Sequence, residues 1–329
     1  MATYKEIYGS TIEVVTSDPP NPVTGQIWYN STSNVVKGFA LTTAGSWSTG
    51  NDMNTARNVL AGAGTQTAGL AAGGSVPGYT GATELYDGTS WTEVNDLNTA
   101  RGAINGNGTQ TSALTYGGID PTSSPVISTK TESWNGTSWT ELADFNLARY
   151  LLDGFGADST SALLFGGYSD PTGTVANTES WNGTSWTEVN DLNTGRSDLA
   201  GSGIATAGLA FGGSPAPAYA FTESWNGTSW TEVNDLNTGR IALGAAGTQT
   251  AALAFGGDIP SIPATQSATE EYNGTSWTEV NDLNTSVRDM GSEGSQTAAV
   301  SFGGSRPSVT AATEEWNAPS FITVTFTDS

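Results

Sequence analysis

Alternation between apolar and polar positions dominates the chain. In "SWTEV" (Ser276–Val280) the two kinds take turns, the period of a strand with one buried face. In "AALAFGG" (Ala251–Gly257) apolar residues run on without a break and stop at Gly-Gly, as in a strand covered on both faces. "IALGAAG" (Ile241–Gly247) and "ATEEY" (Ala268–Tyr272) complete a set of four short segments. Turn signals separate them: a "TQT" turn, a variable loop, and Asn-Gly, whose residues tolerate positive φ and favour a tight hairpin. Few segments carry a helical period. The pattern predicts a unit of four antiparallel strands, here termed a (241–247), b (251–257), c (268–272) and d (276–280).

The unit recurs. "WNGTSWTEVNDLNT" stands at Trp181–Thr194 and again, unchanged, at Trp225–Thr238; Tyr272–Thr285 differs only in its first residue, and near-copies begin at Tyr86 and Trp134. Its second aromatic falls at Trp47, Trp91, Trp139, Trp186, Trp230, Trp277 and Phe321, in steps of 44 to 48 residues. An Arg follows at Arg57, Arg101, Arg149, Arg196, Arg240 and Arg288, and a Gly-Gly pair ends each strand b. A period of ~40–50 residues with about four strands per unit is the signature of propeller blades. The expected fold is therefore an all-β propeller with four-stranded blades. The Ala- and Gly-rich strands a and b suit the crowded axis, and the aromatics of c and d suit the wider periphery.

Six complete units lie between Asn51 and Phe326. "GQIWYN", "NVVKGFA" and "SWST" read as three strands of a divergent one, with "TIEVV" as a fourth strand or an arm. The reading favoured is seven blades. Residues 1–24 are then an arm or first-blade strand, 25–50 a divergent blade segment, and 51–329 six repeats sharing one propeller with it. Six blades plus an N-terminal module is the alternative.

Apolar residues ending in Gly-Gly, then an aromatic, a Trp five residues on, and a short run to Arg: this resembles the kelch repeat, over about residues 51–327. The opening "MATYKEIYGSTIEVV…DPPNPVTGQIWYN" before near-identical repeats resembles kelch-like virion proteins of marine tailed bacteriophages. The resemblance implies a structural protein on the virion surface, a tail-fibre or capsid-decoration component. It also implies contacts with other virion proteins through the N-terminal segment, and a host-surface glycan as ligand in host attachment. A cellular kelch adaptor for protein partners is a further alternative.

Composition narrows the chemistry. With no Cys and no His, thiolate nucleophiles, imidazole bases and the usual zinc or copper sites are excluded. No enzyme activity, cofactor or metal is expected. Copper-oxidase propellers need His and Cys ligands, and "NGTSW" is a residue too short for a sialidase Asp-box. A net charge of −22 repels nucleic acid and anionic membranes, and no apolar run approaches the ~18 residues of a membrane span. No coiled-coil heptads fix an oligomeric state.

The repeated residues read as scaffold. A buried Trp removes ~150–250 Å² from water, roughly 4–6 kcal/mol, so Trp91, Trp139, Trp186, Trp230 and Trp277 are expected in the core. The six Arg match six strand-c acids, Glu84, Glu132, Glu179, Glu223, Glu270 and Glu314, as structural pairs. The Asp of each "ND" pair (Asp52, Asp96, Asp191, Asp235, Asp282, with Asp144 in the variant copy) reads as a turn former, with calcium binding as the alternative. By contrast the b–c loop differs in every unit and holds most of the Pro. Its candidates for ligand binding are Tyr79, Tyr168, Asp170, Tyr219, Phe221, Asp258 and Arg306.

Overall fold

Each copy of the repeated string ends strand c, turns and builds strand d. In the Asn182-Gly183 turn the Asn side-chain oxygen accepts the N–H groups of Thr184 and Ser185, both at 2.9 Å, and Gly183 takes φ of 89°. The aromatics on either side of the turn then pair across the two strands. Trp181 and Trp186 lie 5.3 Å apart between ring centroids, and Trp225–Trp230 and Trp134–Trp139 repeat that distance.

The computed structural model describes residues 12–23, 25–41, 45–122, 126–216, 218–260, 264–319 and 321–326. They belong to two units, residues 46–317 and residues 1–45 with 318–329. The larger unit is nearly all β and is built of repeated four-stranded antiparallel sheets, an arrangement consistent with a β-propeller. The first sheet comprises Ala61–Thr65, Ala68–Ala72, Thr83–Tyr86 and Trp91–Val94 as strands a to d. The second holds Asn105–Thr109, Ser112–Tyr116, Thr131–Trp134 and Trp139–Glu141; the third, Asp153–Asp158, Ser161–Phe165, Thr178–Trp181 and Trp186–Val189. The fourth holds Ala200–Ile204, Ala207–Phe211, Thr222–Trp225 and Trp230–Val233; the fifth, Gly244–Thr248, Ala251–Phe255, Thr269–Tyr272 and Trp277–Val280. Strand a starts later than the sequence suggests, because the residue two after the Arg turns with positive φ, as at Ala242 (53°).

The sixth sheet departs from the expected chain order. Gly291–Ser295, Ala298–Phe302 and Thr313–Asn317 supply its strands a to c, but its strand d is Ser46–Thr49, with Trp47 opposite Trp316. The reason is local. After Asn317 the chain reads Ala-Pro-Ser instead of Gly-Thr-Ser, so the Asn-Gly hairpin cannot form and the sheet edge is left for "SWST". Residues 25–50 therefore do not make a seventh sheet of the repeat type. Ile27–Asn30 and Val35–Leu41 belong to the smaller unit, and so does Phe321, which the aromatic series had grouped with the repeats.

Two cycles of hydrogen bonds link the sheets of the larger unit. Every strand-d Trp donates its indole N–H to the strand-c Thr of the preceding sheet: Trp139 to Thr83, Trp186 to Thr131, Trp230 to Thr178, Trp277 to Thr222 and Trp47 to Thr269. Trp91 completes the cycle by donating to Thr313 of the sixth sheet. Nearer the axis, the positive-φ residues Val59, Ala103, Leu151, Asp198, Ala242 and Asp289 form a second cycle. Each donates its N–H to the carbonyl of the one before, and Val59 donates to Asp289 at 2.8 Å.

The smaller unit has strands Glu13–Val15, Ile27–Asn30, Val35–Leu41 and Phe321–Phe326, in that order across its sheet, the first pair parallel and the others antiparallel. "TIEVV" thus supplies a strand, but of this sheet. Asp18 organises the unit by accepting from Lys37 Nζ (2.7 Å), Asn30 Nδ2 (2.8 Å) and the buried Trp28 Nε1 (3.1 Å). These bonds, Lys37 first, hold its carboxyl down to about 2. No described helix is long and apolar enough to cross a membrane.

Candidate functional site

The repeated Arg and Glu are buried pairs in the first five sheets. Arg196 is typical: Nη2 donates to Glu223 Oε1 at 3.0 Å, and Nη1 donates to the carbonyls of Gly212 (2.8 Å) and Phe221 (2.7 Å). The other carboxylate oxygen accepts from the backbone N–H and side-chain amide of Asn193, both at 2.7 Å. Arg57, Arg101, Arg149 and Arg240 pair with Glu84, Glu132, Glu179 and Glu270 at 2.8–3.0 Å. Several "ND" Asp are capping groups. Asp191, Asp235 and Asp282 accept the strand-c N–H of Thr178, Thr222 and Thr269. The Arg and Glu side chains of these five pairs are at most 2% exposed, whereas the capping Asp stand at exposed positions.

Arg288 breaks the series. In "NTSVRDMG" the Arg comes one residue later than in "NTGRIALG", so Val287 takes the buried position and Arg288 the position after it. Glu314 is matched instead by Arg306 from the b–c loop, in an ion pair of 2.9 Å with Arg306 only 10% exposed. Arg306 is therefore part of the scaffold and Arg288 is not, the reverse of the sequence assignment.

The remaining candidates lie on the loops after Gly-Gly, whose start is fixed by backbone bridges to the residue following each buried Arg, or following Val287 in the sixth repeat. The bridged pairs are Asn58–Ser75, Gly102–Ile119, Tyr150–Tyr168, Ser197–Ser214, Ile241–Asp258 and Arg288–Ser305. Those first members, with the positive-φ cycle beside them, surround one mouth of the axial space. Below the cycle is a cavity of about 80 Å³, walled by Leu60, Ile104, Leu152, Leu199, Leu243 and Met290. Deeper lies a polar cavity of about 100 Å³ reached by Asn105, Asp153 and Ser292.

The mouth is chemically uneven. Tyr168 is 36% exposed, and its ring lies 5.4 Å from that of Tyr150. Tyr79 is half-buried on the neighbouring position, its ring so close over Gly102 that a Cβ there would collide with it. Burial first, then the charges of Tyr168, Asp198, Asp170 and Tyr79, raise the Tyr150 phenol, so these four groups lie within electrostatic reach of it. Asp198 is pushed up to about 6 by burial and then by Asp289; Asp289 is raised by burial, with Arg288 opposing.

Not every candidate joins this group. Tyr219 covers Gly239, its backbone carbonyl accepting Arg240 N–H, and Phe221 offers its carbonyl to Arg196. Both are half-buried and serve the connection beneath them. Asp258 is held by Arg288 at 2.6 Å. The sequence reading missed Tyr150, Asp198, Asp289 and the true place of Arg288. All lie on the connection from d to a, where the residue after the Arg differs in every repeat.

Among the described residues no group of three or more acidic side chains is arranged to hold a metal ion. Comparison with protein-family models and with curated proteins finds no match to this chain.

Proposed function

We propose that the chain is a six-bladed propeller of kelch type, a non-enzymatic surface protein of a tailed-phage virion that binds a host-surface glycan at the b–c mouth. One observation carries the ligand reading: the rings of Tyr150 and Tyr168 pair at 5.4 Å as an aromatic shelf, with Tyr79 over the adjacent Gly102 and with Asp170 and Asp198 within electrostatic reach. Tyrosine rings supply rigid amphipathic area at low entropic cost, and carboxylates accept hydrogen bonds from hydroxyl groups. A surface of net charge −22 favours neutral over anionic sugars. Closure at six blades is supported by the two hydrogen-bond cycles and by Ser46–Thr49 completing the sixth sheet.

The test is a glycan array of neutral and carboxylated oligosaccharides. Wild-type protein is expected to bind neutral members, with Tyr150→Ala and Tyr168→Ala each weakening that binding about tenfold or more. An array on which wild type binds nothing, or variants that bind like wild type, would overturn the reading.

A decoration protein without a host ligand is the second reading. It is favoured by the smaller unit, whose outermost strands, Glu13–Val15 and Phe321–Phe326, each border their sheet on one side only. Such edges offer backbone groups to a partner strand. Deleting residues 2–16 is expected to release the protein from particles; retention would place the attachment elsewhere.

A further inference from the structure

We infer that Arg288 is the specificity-determining residue of the mouth, reading hydrogen-bond acceptors of a neutral oligosaccharide that spans from the tyrosine shelf to the opposite rim; this rests on the glycan reading above. The first observation is the register shift of the sixth repeat. It moves the guanidinium out of the buried pair and onto the mouth, while Arg306 takes over the neutralisation of Glu314. Among the described residues Arg288 is the one Lys or Arg more than a third exposed, at 46%.

The second observation is its place. Around the cycle Val59, Ala103, Leu151, Asp198, Ala242, Asp289, the residues Leu151 and Asp289 are three steps apart in either direction. Their chain neighbours Tyr150 and Arg288 therefore stand across the mouth from each other. With neighbouring strands about 5 Å apart, opposite members of a six-membered cycle lie ~10 Å apart. A short oligosaccharide bridges that span.

The third observation is how Arg288 is held. Nη1 donates to Asp258 Oδ2 at 2.6 Å, and Nε lies 3.6 Å from Asp289 Oδ2. The two carboxylates fix the plane of the guanidinium from one side. They also offset its charge, so a carboxylated ligand gains little while hydroxyl or amide oxygens still meet the remaining N–H donors.

The same array tests this with Arg288→Ala, Arg288→Gln and Tyr168→Ala. Melting temperatures of the Arg288 variants are expected to match wild type, since Val287 and Arg306 fill the structural roles. Arg288→Ala is expected to lose about tenfold or more in affinity for the glycans that wild type binds, the effect of removing a charge-assisted hydrogen bond. Arg288→Gln, which keeps planar amide donors, should retain more. Loss in Tyr168→Ala with wild-type affinity in both Arg288 variants overturns this inference alone. Wild-type affinity in all three overturns the shelf and this inference with it.

Discussion

The two ends of the larger unit use polar side chains in opposite ways. At the a–b and c–d turns, residues that look like ordinary surface polar groups are tied across sheets. Gln110 of a "TQT" turn donates to the carbonyls of Gly69 (2.9 Å) and Tyr86 (2.7 Å) in the preceding sheet, and Gln296 does the same to Ala252 and Tyr272. Asn51, Asn95 and Asn190 reach the turn carbonyls of Thr89, Thr137 and Thr228. At the b–c mouth the ties between neighbouring sheets are mostly backbone hydrogen bonds, such as Ala103 N–H to the Val59 carbonyl and Gly74 N–H to the Arg101 carbonyl, which any side chain can accompany. Uniformity at one end thus has a packing cause, and variation at the other needs no selection for recognition to arise. The case for recognition rests on what the variation assembled: the Tyr150–Tyr168 pair and, three steps around the backbone cycle, the one Arg that is more than a third exposed among the described residues.

The largest effect should come from the ties that carry charge. Arg196→Ala leaves Glu223 buried without its cation, and is expected to cost roughly 3–5 kcal/mol. Urea denaturation measures it. Arg288→Ala in the same assay should change little, so a similar loss in both would erase the distinction between them.

Next is the acid at the axis. Burial pushes Asp153 up to about 7, against the bonds it accepts from Gly154 and Gly201 N–H and from Asn105. The folded state therefore keeps this proton to higher pH than the unfolded chain. Stability is full below about pH 4 and falls as pH rises to about 7, a loss approaching ~4 kcal/mol. Asp198, raised to about 6, acts in the same direction. Asp153→Asn should raise stability at pH 8 and leave it unchanged near pH 3.5. An equal gain at both would show that ionisation is not the cause.

These cases mark how far the residues could be read in one dimension. Strands b, c and d and the Asn-Gly turns follow from patterns within five or six neighbours, and the Arg–Glu pairing follows from phase. The source of the sixth sheet's strand d did not, since Ser48 bonds to Glu315, 267 positions away, and only Ala318-Pro319 hints that this sheet lacks a strand d of its own. Arg288 was misplaced because a one-residue shift keeps an Arg in nearly the same column while reversing what it touches. Tyr150, Asp198 and Asp289 carry no local pattern. Aligning the residue after each buried Arg, or after Val287 in the shifted sixth repeat, gives Asn58, Gly102, Tyr150, Ser197, Ile241 and Arg288 and would have exposed the rim as a variable set.

A smaller effect separates the two ends directly. Gln110→Ala removes two bonds to backbone carbonyls and is expected to cost about 1–2 kcal/mol, although it changes an outwardly ordinary turn. No loss would mean that these cross-sheet bonds add nothing beyond the turn geometry.

The smallest expected change in stability belongs to Tyr168→Ala. The side chain is more than a third exposed and touches mainly Tyr150, an aromatic pair worth about 0.5–1.5 kcal/mol at most. The backbone bonds joining Tyr168 to Tyr150, at 2.8 and 3.1 Å, survive the substitution. Solvent around the exposed ring offsets part of what remains, so a loss below ~1 kcal/mol is expected, measured by the same urea titration. A loss exceeding that of Gln110→Ala would make the shelf part of the scaffold. Its affinity loss on the array would then report damage to the fold and no longer contact with a ligand.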